Sequence, residues 1–243
     1  KENGELGVIF VNTFISALLF RLGNVKKNIG YNREGRGFLL DFSPEINYHK
    51  HYINRYAFLF NEYIGNKYVY LPELSLRYTA QKTFQFDNSH KTIALYLGGE
   101  NKEFRKYPDE YAVQLLRLLN RQGYNLLLIG DENDNIKHTQ YAEEARIDHL
   151  INLTARTTIE GFINTIANVD LIITIDSSAL HIAAAVKNPF IALMGLSTSP
   201  TSTILPKVPL GRILKIENNL IREEDYIRNI TPDLILKTIA ELI

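Results

Sequence analysis

The sequence of 243 residues contains no cysteine. That excludes disulfides and thiolate metal sites, while leaving the compartment open, since a chain without thiols suits an oxidising or a reducing one. It has no net charge either: 27 Lys and Arg balance 27 Asp and Glu. A generic polyanion binder is therefore not expected, and nucleic acid is not an expected partner, although local basic clusters can still form. No window of membrane-spanning length is free of charge, and the amino end lacks the basic-then-apolar layout of a signal peptide. The expectation is a cytoplasmic protein. The single methionine is Met194 and the first residue is Lys1, so the sequence reads as beginning inside a longer parent.

What is present is an ordinary apolar fraction, 45%, enough for one large domain or two modest ones. Leu171 to Ile175 is an unbroken aliphatic run, the pattern of a strand buried on both faces of a parallel sheet. It stops at Asp176, Ser177 and Ser178, whose short side-chain oxygens suit the start of a helix. Ala179 to Val186 supplies that helix, with Ala183, Ala184 and Ala185 small enough to lie close to a sheet. Asn188-Pro189 ends it before a second apolar run, Phe190 to Met194. The unit is β-α-β, and Asp176 and the turn Gly195 to Pro200 should meet at the carboxyl edge of the sheet, where ligands bind. His181 falls in the first helical turn, where free N–H groups and the helix dipole favour an anion. The alternative is structural, with Asp176 and Ser177 as caps and His181 a half-buried core residue.

Along the chain, 7–12 reads as a strand, 13–22 as a helix closed by Gly23, and 27–31 as a second strand. Arg33 and Arg36 flank glycines in the following loop, which could wrap an anionic group, with Lys26 and Lys27 nearby; a solvated basic loop is the other reading. His49 to Ile64 is an amphipathic helix whose aromatic stripe reads as core. Residues 76–90 are polar and weakly periodic, a linker between 1–75 and 91–243. After it, strands (92–97, 124–129, 150–153, 171–175, 190–194, 212–216) alternate with helices (108–122, 135–145, 157–168, 179–186 and one opened by Thr231-Pro232-Asp233). Thr157 and Glu160 have the spacing of a capping box. This is a doubly wound α/β domain of about six strands.

Several loops at its carboxyl edge suit a nucleotide diphosphate. Gly98 and Gly99 would let the backbone approach a ligand, with Glu100, Asn101 and Arg105 following. The acidic loop Gly130 to Asp134 could accept from ribose hydroxyls or hold a divalent cation.

Together these residues resemble a known family. Asp-Ser-x-x-x-His-x-Ala-x-Ala-x-x-x-Pro followed by Gly and a Ser/Thr-Pro turn, here Asp176 to Pro200, resembles the donor-site signature of the ADP-heptose lipopolysaccharide heptosyltransferases, glycosyltransferase family 9. Arg105-Lys106-Tyr107-Pro108 resembles that family's Lys-x-Trp-Pro, 152–159 resembles Asn-Leu-x-Gly-Lys-Thr-Ser-Leu, and Asp134 falls where the family keeps a glutamate. The amino-terminal part is similar to the second half of an acceptor domain in the heptosyltransferase II branch. The resemblance implies a GT-B fold, with one complete Rossmann-like carboxyl-terminal domain and a partial Rossmann-like amino-terminal one.

By the same resemblance the reaction transfers heptose from ADP-heptose to the lipopolysaccharide inner core, with inversion, without metal or other cofactor, and with peripheral contact at the cytoplasmic membrane face. The donor would meet Gly99, Glu100, Asn101, Arg105, Asp134, Thr157, Asp176, Ser177, Ser178 and His181; the acceptor would meet Lys26, Lys27, Arg33 and Arg36. The departures are Ser178 for glycine, Arg105 for lysine, Tyr107 for tryptophan and a turn lengthened by Ser199. A GT-B enzyme has two halves of roughly 100–200 residues, and the family's first strand with its proposed catalytic aspartate has no counterpart here. The expectation is a general base upstream of Lys1 and a chain that is a poor transferase alone. A non-catalytic sugar-nucleotide-binding remnant, or another GT-B enzyme such as an epimerase, are the competing readings.

Overall fold

The computed structural model describes residues 4–69, 74–86, 89–196, 205–206, 208–216 and 222–243. They form two compact units, the described residues up to 69 in one and those from Leu74 onward in the other.

In the first unit, β1 (Leu6–Ile9) pairs in parallel with β2 (Lys27–Gly30) through α1 (Phe14–Leu22), and α2 (Tyr52–Tyr63) follows. β1 is shorter than its apolar run because Phe10 and Val11 leave the sheet and stand more than half exposed. α1 starts where Thr13 accepts from the Ser16 N–H and the Glu34 carboxylate accepts from the Phe14 N–H, two caps for otherwise unpaired donors. Gly23 does not supply the left-handed turn after it, with φ −73°. Asn24 does, at φ 58°, a conformation asparagine tolerates better than most residues. Of the α2 stripe, Leu59 is buried while Phe60 and Tyr52 remain over a third exposed, so only one edge of it is core.

The second unit runs β3 (Thr92–Tyr96), α3 (Asp109–Arg121), β4 (Asn125–Leu128), α4 (Asn135–Ala145), β5 (Ile151–Asn152), α5 (Ile159–Ala167), β6 (Leu171–Ile175), α6 (Ser178–Ala185), β7 (Phe190–Met194), β8 (Gly211–Lys215) and α7 (Pro232–Ile239). Its sheet has the order β5-β4-β3-β6-β7-β8, every neighbouring pair parallel. All five residues of β3, β6 and β7 are buried, as expected of strands covered on both faces. Leu115, Leu116 and Leu119 of α3 pack into the core with Ile93, Leu95, Leu126 and Ile173. The acids Asp109 and Glu110 sit at the positive end of α3, and Gly123 turns the chain at its other end with φ +83°.

Two local expectations shift. Thr158, not Thr157, caps α5, its hydroxyl accepting from the Gly161 N–H at 3.1 Å. Within the stretch 76–90, expected to be a linker, residues 76–86 form an irregular strap on the second unit: Thr79 N–H donates to Asn164 Oδ1 at 2.9 Å, Asn168 Nδ2 donates to the Thr79 carbonyl, and the Thr83 and Thr165 hydroxyls pair at 2.6 Å. Phe84 of this strap is itself buried. Among the described residues no helix is long and apolar enough to cross a membrane.

Candidate functional site

In an open parallel sheet the loops leaving two adjacent strands separate where the strand order reverses, and the crevice between them takes ligands. Here the reversal lies between β3 and β6. The chain leaving β3 turns at Gly98, φ +83°, where a Cβ would come within 2.7 Å of Ile175 at the end of β6. It then makes a 3-10 turn, Glu100–Arg105, that sends Arg105 back across the gap. Arg105 Nη1 donates to the Asp176 carbonyl at 3.5 Å. The structure thus brings Gly98, Arg105 and Asp176 to one place.

On the β6 side, Ser177 is the cap of α6: its Oγ accepts from the Ala179 N–H at 3.2 Å and pairs with the buried Thr174 hydroxyl at 2.9 Å. Its side chain is therefore spent on local structure. Asp176 stands half-buried in front of it, Ser178 is the exposed first residue of α6, and His181 is half-buried one turn on. Ala179, Ala183, Ala184 and Ala185 are buried, which lets the helix lie close to the sheet with its amino end, the positive end of its dipole, at the crevice.

The β4 side corrects the sequence reading of Asp134. That residue is fully buried and faces its own loop, with Oδ2 accepting from the Asp131 N–H at 3.0 Å in a capping box. Burial pushes its carboxyl above the usual range, and Oδ1 has no hydrogen-bond partner. A side chain enclosed like this is not placed to take ribose hydroxyls. The outward carboxylate is Asp131, nearly half exposed, three residues earlier. It accepts from Lys102 Nζ at 3.0 Å, the Tyr96 hydroxyl at 3.2 Å and the Asn133 N–H at 2.9 Å. Burial alone would raise it, but the Lys102 ammonium and these donors hold it below the usual carboxylate range.

Gly99 also has a different task from the one expected. A Cβ there would lie 2.4 Å from the Asn133 carbonyl oxygen and 2.7 Å from Asp134 Cα, so its bareness lets the β3 and β4 loops touch each other rather than admitting a ligand. Gly130 is confined likewise, by Asp134 Oδ2 at 2.9 Å. Beneath both lies a buried polar cluster that the sequence did not signal: His138 Nδ1 pairs with Thr154 Oγ1 at 2.8 Å, its ring edge-on to Tyr96. Burial pushes His138 down to about 4, so it is neutral at physiological pH. Thr157, half-buried, lies on the β5–α5 loop, which joins this side of the edge through the Ala155 N–H to the Gly130 carbonyl, 3.1 Å. Asn101 is exposed; Ser199 and Pro200 of the turn after β7 lie outside the described residues, as does the Glu100 side chain. Among the described residues no three His, Asp or Glu side chains converge as metal ligands.

The four cations of the first unit do not form one cluster. Lys26 and Lys27 enter β2 and Arg33 and Arg36 leave it, so a strand of four residues, roughly 13 Å, lies between the two pairs. Lys26 pairs with Glu5 at 2.5 Å. Arg36 is fully buried, donating to the carbonyls of Tyr31, Val11 and Thr13, to the Ser16 hydroxyl and to Asn12 Oδ1. It is a strut for the loops at the end of the sheet, with all three of its nitrogens engaged and the side chain enclosed away from an acceptor sugar. Arg33 remains exposed, 5.4 Å over the Tyr48 ring.

The chain belongs to glycosyltransferase family 9 (heptosyltransferase), whose profile matches residues 5–225. It is 26% identical over 269 residues to lipooligosaccharide heptosyltransferase 2 of Haemophilus influenzae, an alignment covering all of this chain and 78% of that protein. The corresponding protein of Haemophilus ducreyi is 24% identical over the same share. Among solved structures, E. coli ADP-heptose LPS heptosyltransferase II superposes with a TM-score of 0.83 at 21% identity, over 98% of this chain and 76% of that one. The E. coli heptosyltransferase WaaC with ADP gives 0.74 at 16% identity, over 100% and 74%. The fold is that of the GT-B heptosyltransferases, with parallel sheets in both units.

Proposed function

We propose that the crevice between β3 and β6 binds ADP-heptose and that the chain serves transfer of the heptose to a hydroxyl of the lipopolysaccharide inner core, with inversion and without metal. The observation that carries this reading is the convergence at the reversal of strand order: Arg105, bridging from the β3 turn to the Asp176 carbonyl, beside the amino end of α6. In such a transfer the bond from the anomeric carbon to the diphosphate oxygen breaks as the acceptor oxygen bonds from the opposite face and its proton is released. Charge then builds on the leaving ADP, and the Arg105 guanidinium and the N–H groups at the head of α6 stabilise it where it develops. His181, one turn into α6, and Asp176 border the same space. Asp131 takes the ribose role first read for Asp134, because it is the carboxylate that reaches solvent. Arg33 on its aromatic platform and the exposed Lys27 remain candidates for anionic groups of the acceptor. Family membership and the likeness to the WaaC structure with ADP support the adenine nucleotide. The test is calorimetry with ADP, with and without a chelator, followed by transfer from ADP-heptose to an inner-core acceptor. Binding that survives the chelator is expected; no binding of any adenine nucleotide, or strict dependence on magnesium, would sink the reading.

A further inference from the structure

We propose that Lys102 is a second cation for the phosphate groups of the nucleotide, held in reserve by Asp131 until the ligand arrives; this rests on the donor-site reading above. A lysine on a surface turn usually extends into water. Lys102 does not: its side chain is only 18% exposed. A Cβ at Gly98 would stand 3.1 Å from Lys102 Cγ, so the stem lies against the bare glycine. Its ammonium sits 5.6 Å over the Tyr96 ring and 3.0 Å from Asp131 Oδ2.

The turn that follows β3 therefore sends one cation to each neighbouring strand, Lys102 to the end of β4 and Arg105 to the end of β6. Those strands are two sheet spacings apart, about 10 Å, and a nucleoside diphosphate with its ribose at Asp131 and its phosphates at α6 has to cross between the two cations. The pair with Asp131 is open to exchange, because that carboxylate is nearly half exposed and is fixed independently by the Tyr96 hydroxyl and the Asn133 N–H. Lys102 can turn to a phosphate without releasing it. While the edge is empty, Asp131 neutralises Lys102 and disfavours stray anions.

The experiment compares ADP, adenosine and inorganic pyrophosphate by calorimetry on the whole chain, as wild type, Lys102→Ala, Asp131→Asn and the double variant. Lys102→Ala is expected to weaken ADP about tenfold, the loss of one charge-assisted contact, and to leave adenosine within about twofold. Asp131→Asn, which frees the ammonium, is expected to tighten pyrophosphate severalfold, and the double variant to lose that gain. If Lys102→Ala binds ADP as wild type does, or weakens adenosine as much as ADP, Lys102 only supports the turn and the proposal is overturned. If wild type binds ADP, the donor-site reading survives that failure; if wild type binds no adenine nucleotide, both fall together.

Discussion

Each unit encloses one charged side chain just past the carboxyl end of a parallel strand, Arg36 after β2 and Asp134 after β4, and the two are satisfied in opposite degree. Arg36 uses its guanidinium on five acceptors, from the loop Val11 to Thr13, from Ser16 in α1 and from Tyr31 after β2. Asp134 accepts from the Asp131 N–H and leaves Oδ1 without a partner. Burying a charge is tolerable when every polar atom of it is engaged and costly when one is not. The first arrangement thus defines a strut that cannot be removed, the second a carboxyl whose shape matters more than its charge.

Removing the strut should give the largest effect. Arg36→Ala takes the guanidinium away from five acceptors in a small unit and is expected to destabilise that unit by about 3–5 kcal/mol, read by urea unfolding of the whole chain as an early transition. Arg36→Lys should restore less than half, because an ammonium cannot span the same fork of acceptors. An unchanged midpoint for Arg36→Ala would return this residue to the pool of ligand-binding cations.

The next largest concerns the polar cluster next to Asp134. Burial lowers His138 to about 4, whereas in the unfolded chain it titrates near 6.5. Above that value both states are neutral and the residue contributes no pH dependence. As pH falls from about 6.5 to 4 the unfolded state takes up the proton first, so stability is lost in that window, by up to about 3 kcal/mol. Urea unfolding at pH 7 and pH 4.5 should show the fall, and His138→Asn should flatten this residue's share of it. A histidine resonance that titrates near 6.5 in the folded chain and belongs to His138 would contradict the enclosure.

Ser177→Ala removes the cap of α6 and should cost about 1 kcal/mol, while Asp176→Ala leaves that cap in place and should cost less stability than Ser177→Ala and act on ADP affinity instead. The reverse pattern would assign the junction to structure alone. Asp134→Asn is expected to move stability little, by under about 1 kcal/mol in either direction. The amide oxygen still accepts from the Asp131 N–H, and a desolvated charge is removed. A loss as large as that of Arg36→Ala would erase the contrast between the two units.

The strands and helices of the second unit were legible because their determinants are local. Leu171 to Ile175 and Phe190 to Met194 are unbroken apolar runs, Pro232 follows a capping threonine, and Gly123 stands where a left-handed residue is needed. Motif spacing likewise identified the family and the strand-to-helix turn at the candidate crevice, since the residues that turn a chain from strand to helix sit next to one another in sequence. The partners of charged groups were not legible. Whether Lys26 and Arg33 are neighbours depends on strand direction, which separates the two ends of β2. Whether Asp131 or Asp134 faces outward depends on the close approach of Gly99 from another loop, 2.4 Å from Asn133 for an added Cβ. The sequence by itself thus determined the elements and the edge of the sheet that carries the candidate site. Only the tertiary structure decided which polar side chains on that edge are enclosed and which reach solvent, because enclosure is set by residues far apart in the chain.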